Sequence, residues 1–196
     1  MTECEPVDAQ VTANHGLEGR SDLELIAAIN NGDSAAFEVL YFRYRDWVAA
    51  LAFGFTRDND AALDVLQETF LYFLKKCPGF RLTANFKTFL YPAVRNLSIA
   101  ARRKAARYQA TTGELEHLEE VAAAPVGTTE TDDLKAVLAC LPQEQREVIV
   151  LRFVDGFSLS EVADAMDIPV GTVKSRLHNA LQSLRQDERT RDFFER

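Results

Sequence analysis

The chain has 196 residues, 47% of them apolar, and its 30 acidic against 22 basic residues give a formal net charge of −8. That length suits one larger domain or two small ones, and the apolar fraction excludes a wholly disordered chain. No run of about 18 apolar residues occurs, so no membrane span is predicted, and the acidic N-terminal MTECEPVDAQVTANHGLEGR lacks the apolar stretch of a secretory leader.

Residues 1–20 are expected to be a disordered acidic extension. Ser21-Asp22-Leu23-Glu24 then has the form of a capping box, in which hydroxyl and carboxylate satisfy each other's free backbone amides. The helix it opens breaks at Asn31-Gly32-Asp33. A longer helix is predicted from Ser34 to about Phe55, with Phe37, Leu40, Tyr41, Tyr44, Val48, Leu51 and Phe55 at three- and four-residue spacing. Asp58-Asn59-Asp60 sets carboxylates at the positive end of the next helix dipole. Leu63, Leu66, Phe70 and either Phe73 or Leu74 form its expected buried face, and Cys77-Pro78-Gly79 follows its end. Another helix is predicted from about Ala84 to Tyr108, kinked or split by Pro92.

Residues 109–130 lose the periodicity and read as a flexible linker, with a frayed turn near Leu115–Val121. In a second block, Leu134, Val137, Leu138 and Leu141 make one apolar stripe, Pro142 stops it, Gln143–Phe153 reads as a helix, and Asp155-Gly156 turns the chain. No strand-like alternation appears. The predicted fold is all-α: two small helical domains, 21–108 and 131–186, joined by the linker and followed by a tail at 187–196.

Within the second block, Ser158-Leu159-Ser160-Glu161 is a second capping box, opening a helix that ends at Met166. The small Ala163 lets another helix cross closely, and Asp167 falls where a tight turn needs positive φ. Ile168 plugs that turn, and Pro169 presets the start of a helix whose Val173 and Leu177 point inward. A short helix, a tight turn and a polar, basic second helix form a helix-turn-helix, the shape that fits a DNA major groove. A plain helical hairpin with a solvated basic face is the blander alternative.

Charge is unevenly distributed. Residues 81–113 hold Arg81, Lys87, Arg95, Arg102, Arg103, Lys104 and Arg107 with no acid, and 171–185 hold Lys174, Arg176 and Arg185, again without one. Two cationic islands in an acidic chain imply local contact with a polyanion. Cys4, Cys77 and Cys140 lie far apart, in neither metal-binding nor redox spacing, which fits a reducing cytoplasm; Cys77 and Cys140 are expected to be small buried apolar residues. Asp64 and Glu68 sit one turn apart, but no His, Ser or Gly-rich loop accompanies them, so no catalysis, metal or cofactor is expected.

Asp64 with Leu66-Gln67-Glu68-Thr69-Phe70, Phe86-Lys87-Thr88-Phe89-Leu90-Tyr91 and Arg95-Asn96-Leu97 resembles region 2 of the bacterial sigma factors. Leu141-Pro142-Gln143-Glu144-Gln145-Arg146-Glu147-Val148 and Ile168–Leu177 resemble region 4. With only these two regions, the chain is similar to the extracytoplasmic-function (ECF) subfamily. The resemblance implies that Asp64, Gln67 and Glu68 dock on the largest subunit of core RNA polymerase. It implies that Lys87, Phe89, Tyr91, Arg95, Asn96, Arg102 and Arg103 engage the −10 promoter element and keep one strand single, with Phe86, Phe89 and Tyr91 offering ring faces to unstacked bases. Such stacking is worth about 1–3 kcal/mol per base. Ser158, Gly171, Thr172, Lys174, Ser175, Arg176 and His178 would read the −35 element, while the Leu141–Phe153 helix meets the polymerase flap. An anti-sigma factor is a further candidate partner by resemblance, identified by no residue here. Phe89 stands where the family commonly has Trp. Two rival readings are a dimeric helix-turn-helix regulator that binds a palindrome without polymerase, and, more remotely, an all-α enzyme built on Asp64 and Glu68.

Overall fold

The computed structural model describes residues 19–112, 137–187 and Thr190; the expected extension as far as Glu18 and most of the expected linker and tail lie outside the described residues. In chain order the elements are α1 (Asp22–Asn30), α2 (Ser34–Thr56), α3 (Asn59–Leu74), α4 (Phe86–Thr112), α5 (Gln143–Ile149) running into a π-helical stretch (Val150–Val154), α6 (Leu159–Met166) and α7 (Val170–Gln186).

Local chemistry sets most of these boundaries. At α1 the Glu24 amide donates to the Ser21 hydroxyl at 3.4 Å and the Ser21 amide to the Glu24 carboxylate at 2.7 Å, completing the capping box. Gly32, at φ +90°, turns the chain. Asp33 then caps α2 by accepting the Ala35 and Ala36 amides at 3.0 and 3.1 Å, and Asp58 caps α3 by accepting that of Ala61 at 2.8 Å.

Helices α1 to α4 close around Leu25, Leu40, Val48, Phe73, Phe86 and Leu90, all fully buried. Phe73 is the hub, meeting Phe86 edge-on at 5.0 Å and Phe80 at 5.3 Å between ring centroids. The buried stripe of α3 is Ala62, Val65, Leu66, Thr69, Phe70 and Phe73, and Leu63 is 52% exposed, contrary to expectation. One residue past Ala62 is a rotation of about 100° on a helix, which turns Leu63 onto the side of Asp64 and Gln67. Pro92 does not split α4, which continues as one helix four residues past Tyr108. Its missing N–H leaves the Thr88 carbonyl without the usual helical donor.

The second block has two apolar clusters. Leu138, Leu141, Ile149, Ala180 and Leu184 tie α5 to α7. Val148, Leu151, Phe157, Val162, Met166 and Val173 form the helix-turn-helix core, and Phe55 and Tyr91 of the first block complete it. The helix expected to run to Phe153 widens after Ile149: the Asp155 amide donates to Val150 at 3.0 Å, five residues back. Leu151 stays buried across this turn while Phe153 and Val154 are each 61% exposed.

Candidate nucleic-acid interface

The outer face of α3 carries Asp64, Gln67 and Glu68, all exposed, between the exposed side chains of Leu63 and Leu71. Carboxylates flanked by bare leucines form a surface suited to a protein partner, where apolar contact supplies affinity and charge supplies register.

The segment leading into α4 is pinned from a distance. The Asn30 side chain donates to the Phe80 carbonyl at 2.8 Å and accepts the Gly79 and Phe80 amides at 2.9 and 3.2 Å. Phe80 thereby packs on Phe89 at 4.5 Å. Phe89 also stacks on Tyr72, with centroids 5.8 Å apart and planes 13° from parallel, and Lys76 lies over the Tyr72 ring. Tyr72 is 41% exposed, so the accessible aromatic edge is Tyr72 with Phe89. Phe86 and Tyr91, expected to offer ring faces to bases, are 0% and 1% exposed and do not present them in this arrangement. Helical spacing marked Tyr72 no more strongly than its neighbours, and only the fold brings it beside Phe89. Asn96, Arg102 and Arg103 are exposed farther along α4, as are Lys104 and Arg107.

Lys87, Tyr91 and Arg95, three of the residues expected at the −10 element, face the second block instead of solvent. The Lys87 ammonium lies 3.4 Å from Asp155 Oδ1 and 5.2 Å from the centre of the Trp47 ring. Trp47 Nε1 donates to the same Asp155 oxygen at 2.6 Å. The Tyr91 hydroxyl donates to Glu147 Oε2 at 3.2 Å, and Arg95 Nε lies 3.5 Å from that oxygen. Burial pushes the Tyr91 phenol well above its ordinary pKa, and the charge of Glu147 adds to the shift. Trp47, Glu147 and Asp155 carry no local sequence signal for this role, because each is separated by dozens of residues from the group it meets.

The helix-turn-helix forms as expected. Ser158 caps α6, its hydroxyl accepting the Glu161 amide at 3.2 Å, and this structural duty occupies a side chain otherwise assigned to DNA. Asp167 adopts the left-handed conformation at φ 54°, ψ 50°, and the Ile168 amide closes the turn on the Ala163 carbonyl at 3.0 Å. Val173 is fully buried, while Gly171, Lys174, Ser175 and His178 are exposed and Thr172 is half-buried. Arg176 forms an ion pair with Glu144 across the α5–α7 contact, leaving its side chain 22% exposed. Cys77 is half-buried, but Cys140 is exposed, contrary to expectation, at the turn before Pro142.

A groove of about 470 Å³ runs between the blocks, with Leu51, Phe55, Val150 and Val154 among its apolar walls and Arg102 and Arg146 also lining it. Among the described residues no group of His, Cys, Asp and Glu has the arrangement of a metal site, and no helix is long and apolar enough to cross a membrane.

Residues 40–108 match the family model for sigma-70 region 2, and residues 137–186 that for sigma-70 region 4. The ECF RNA polymerase sigma-E factors of Salmonella typhimurium and Escherichia coli K12 are each 31% identical over 180 residues, covering 85% of this chain and 94% of theirs. The ECF sigma factor SigW of Bacillus subtilis is 30% identical over 177 residues, covering 84% of this chain and 95% of its own. Among solved structures, the sigma factor RpoE of Bartonella quintana, crystallised with the anti-sigma factor NepR, superposes with a TM-score of 0.59 at 29% identity, covering 76% of this chain and 94% of that one. CnrH bound to the cytosolic domain of CnrY also gives 0.59, at 25% identity, covering 83% and 94%.

Proposed function

Because this chain belongs to the ECF sigma factors of bacterial RNA polymerase, we propose a division of labour between its two blocks. The protein is a transcription-initiation factor that works with core RNA polymerase and promoter DNA and catalyses no reaction itself. The α3 face of Asp64, Gln67 and Glu68 holds the polymerase. Helix α4 takes the −10 element: Asn96, Arg102 and Arg103 meet the duplex or its separated strand, Phe89 supports stacking together with Tyr72, and Lys87, Tyr91 and Arg95 join once they are uncovered. Helix α7 enters the major groove at the −35 element through Gly171, Thr172, Lys174, Ser175, Arg176 and His178, while Ser158 holds the start of α6. The groove between the blocks, apolar with guanidinium groups in its lining, suits an amphipathic acidic helix of an anti-sigma factor, the class of partner seen with RpoE. The chemistry belongs in the cytoplasm, where polymerase and promoter are.

One observation carries this reading: apart from Arg81, the cations of the two acid-free segments lie on α4 and on the second helix of a helix-turn-helix, in separate blocks. Two separated basic helices suit a bipartite DNA target better than one compact site. In vitro transcription with purified core polymerase on a promoter library tests it. New transcripts sharing a two-part upstream motif are expected. A protein-only footprint on a palindrome, with no transcripts and no core binding, overturns the reading in favour of a dimeric regulator.

A further inference from the structure

Lys87, Tyr91 and Arg95 are spaced four residues apart and form one stripe along α4. A cation, a phenol and a cation in a row are the groups that neutralise and hydrogen-bond a phosphate backbone. In this structure that stripe meets two carboxylates instead. Asp155 receives Lys87 and Trp47, and Glu147 receives Tyr91 and Arg95. Their side chains are 7% and 11% exposed, whereas those of Lys87 and Arg95 keep 26% and 34%. A carboxylate this deeply covered loses most of its hydration and needs these donors. The Gln143 amide adds a further bond to Glu147 Oε1 at 3.0 Å.

We propose that Glu147 and Asp155 act as phosphate surrogates: an acidic surface of the second block that occupies the DNA-facing stripe of α4 and must be displaced before promoter DNA can take its place. Resting on the assignment of α4 to the −10 element, the idea adds which residues hold the protein away from DNA. Geometry requires the displacement. Elements named for positions −35 and −10 are separated by about 25 base pairs, roughly 85 Å along B-DNA at about 3.4 Å per pair. The longest described helix of the first block, the 27-residue α4, spans about 40 Å. Two blocks that share the core around Phe55 and Tyr91 cannot reach both elements at once. The surrogate surface therefore couples two events: separating the blocks exposes the cationic stripe, and phosphates binding to the stripe favour separation.

The only tryptophan of the chain, Trp47, lies inside this contact, so its emission reports the latch directly. The test uses the full chain in three forms: wild type, the Glu147→Gln/Asp155→Asn variant, and a Glu38→Gln/Asp60→Asn control that raises net charge equally at exposed sites away from the contact. Binding of fluorescein-labelled random single-stranded DNA is measured by anisotropy without polymerase, with circular dichroism melts to establish folding. The latch variant should bind about tenfold more tightly than the control, with Trp47 emission red-shifted and more open to acrylamide quenching. Equal affinities for a folded latch variant and the control overturn the proposal. Should the latch variant not fold, wild type decides alone: saturating DNA should raise acrylamide quenching of Trp47, and unchanged quenching overturns it. Failure of the sigma assignment would show separately, as absence of promoter-specific transcription with core polymerase.

Discussion

The two blocks bury their cores in different ways. Helices α1 to α4 enclose a core of their own, centred on Phe73 and the rings of Phe80, Phe86 and Phe89. The helix-turn-helix block encloses only a small aliphatic cluster by itself and completes its larger one with Phe55 and Tyr91 from the first. A small domain buries a lower fraction of its surface, so borrowed side chains matter more to it. The difference suggests a rigid platform carrying a dependent reader, whose grip on that platform is both stability and restraint.

The largest expected effect lies at the platform's hub. Phe73→Ala removes a fully buried ring with aromatic neighbours on several sides and should cost about 3–5 kcal/mol in urea denaturation. Because the reader leans on the platform, both should unfold together. A loss below about 1 kcal/mol would end the claim of an independent, centred core.

Phe55→Ala sharpens the contrast from the border. This ring is 8% exposed and meets Tyr91 edge-on at 6.4 Å between centroids. Its removal should cost about 3 kcal/mol, the low end for a buried Phe, and should fall on the second block. Amide exchange is the measurement: protection should drop in α6 and α7 more than in α1 and α3. A uniform drop would mean that the blocks share one cooperative core.

The sequence disclosed what is local. Both capping boxes, the break at Gly32, the acidic start of α3 at Asp58 and the left-handed Asp167 are decided within a few residues, and each formed as expected. What stayed hidden depends on distance or on small angular differences. Leu63 missed the core because one residue of helical rotation separates Ala62 from it. The π-helical turn after Ile149 answers to packing around Leu151, which no periodicity encodes. The α3 face was named by its resemblance to sigma region 2, not by phase, but the outward residues of α7 were legible because they follow helix phase. The covering of Lys87, Tyr91 and Arg95 was not, since Glu147 and Asp155 lie more than fifty residues away along the chain.

Arg176→Ala addresses the reader's function. A lost arginine contact to a base edge is worth about 1–3 kcal/mol, so discrimination among −35 sequences should fall about tenfold or more at one position, with the −10 preference retained. Transcription from promoters mutated at each −35 base reads this out. Undiminished discrimination would remove Arg176 from the recognition face. Glu144→Gln frees the same guanidinium without deleting it and should leave discrimination nearer wild type.

The smallest expected effect is at the start of α6, where the reader's own helix is held. Ser158→Ala removes the hydroxyl that accepts the Glu161 amide and should cost about 1 kcal/mol at pH 7. The cost should depend on pH. Hydrogen bonds from the Ser158 backbone amide, then from its hydroxyl, hold the Glu161 carboxyl below its ordinary pKa, with a smaller contribution from the Asn85 backbone of the first block. A depressed folded pKa means that this stabilisation is complete above the unfolded value of about 4.3 and is lost as pH falls through the lower folded value. Without the hydroxyl the folded pKa moves back toward the unfolded one, although the amide at position 158 still donates. The gap between wild type and variant in urea midpoint should therefore narrow as pH falls from 7 through the lowered folded value of Glu161. A gap that stays constant would mean that the serine hydroxyl stabilises the helix only by accepting the Glu161 amide, with no share in holding its carboxylate.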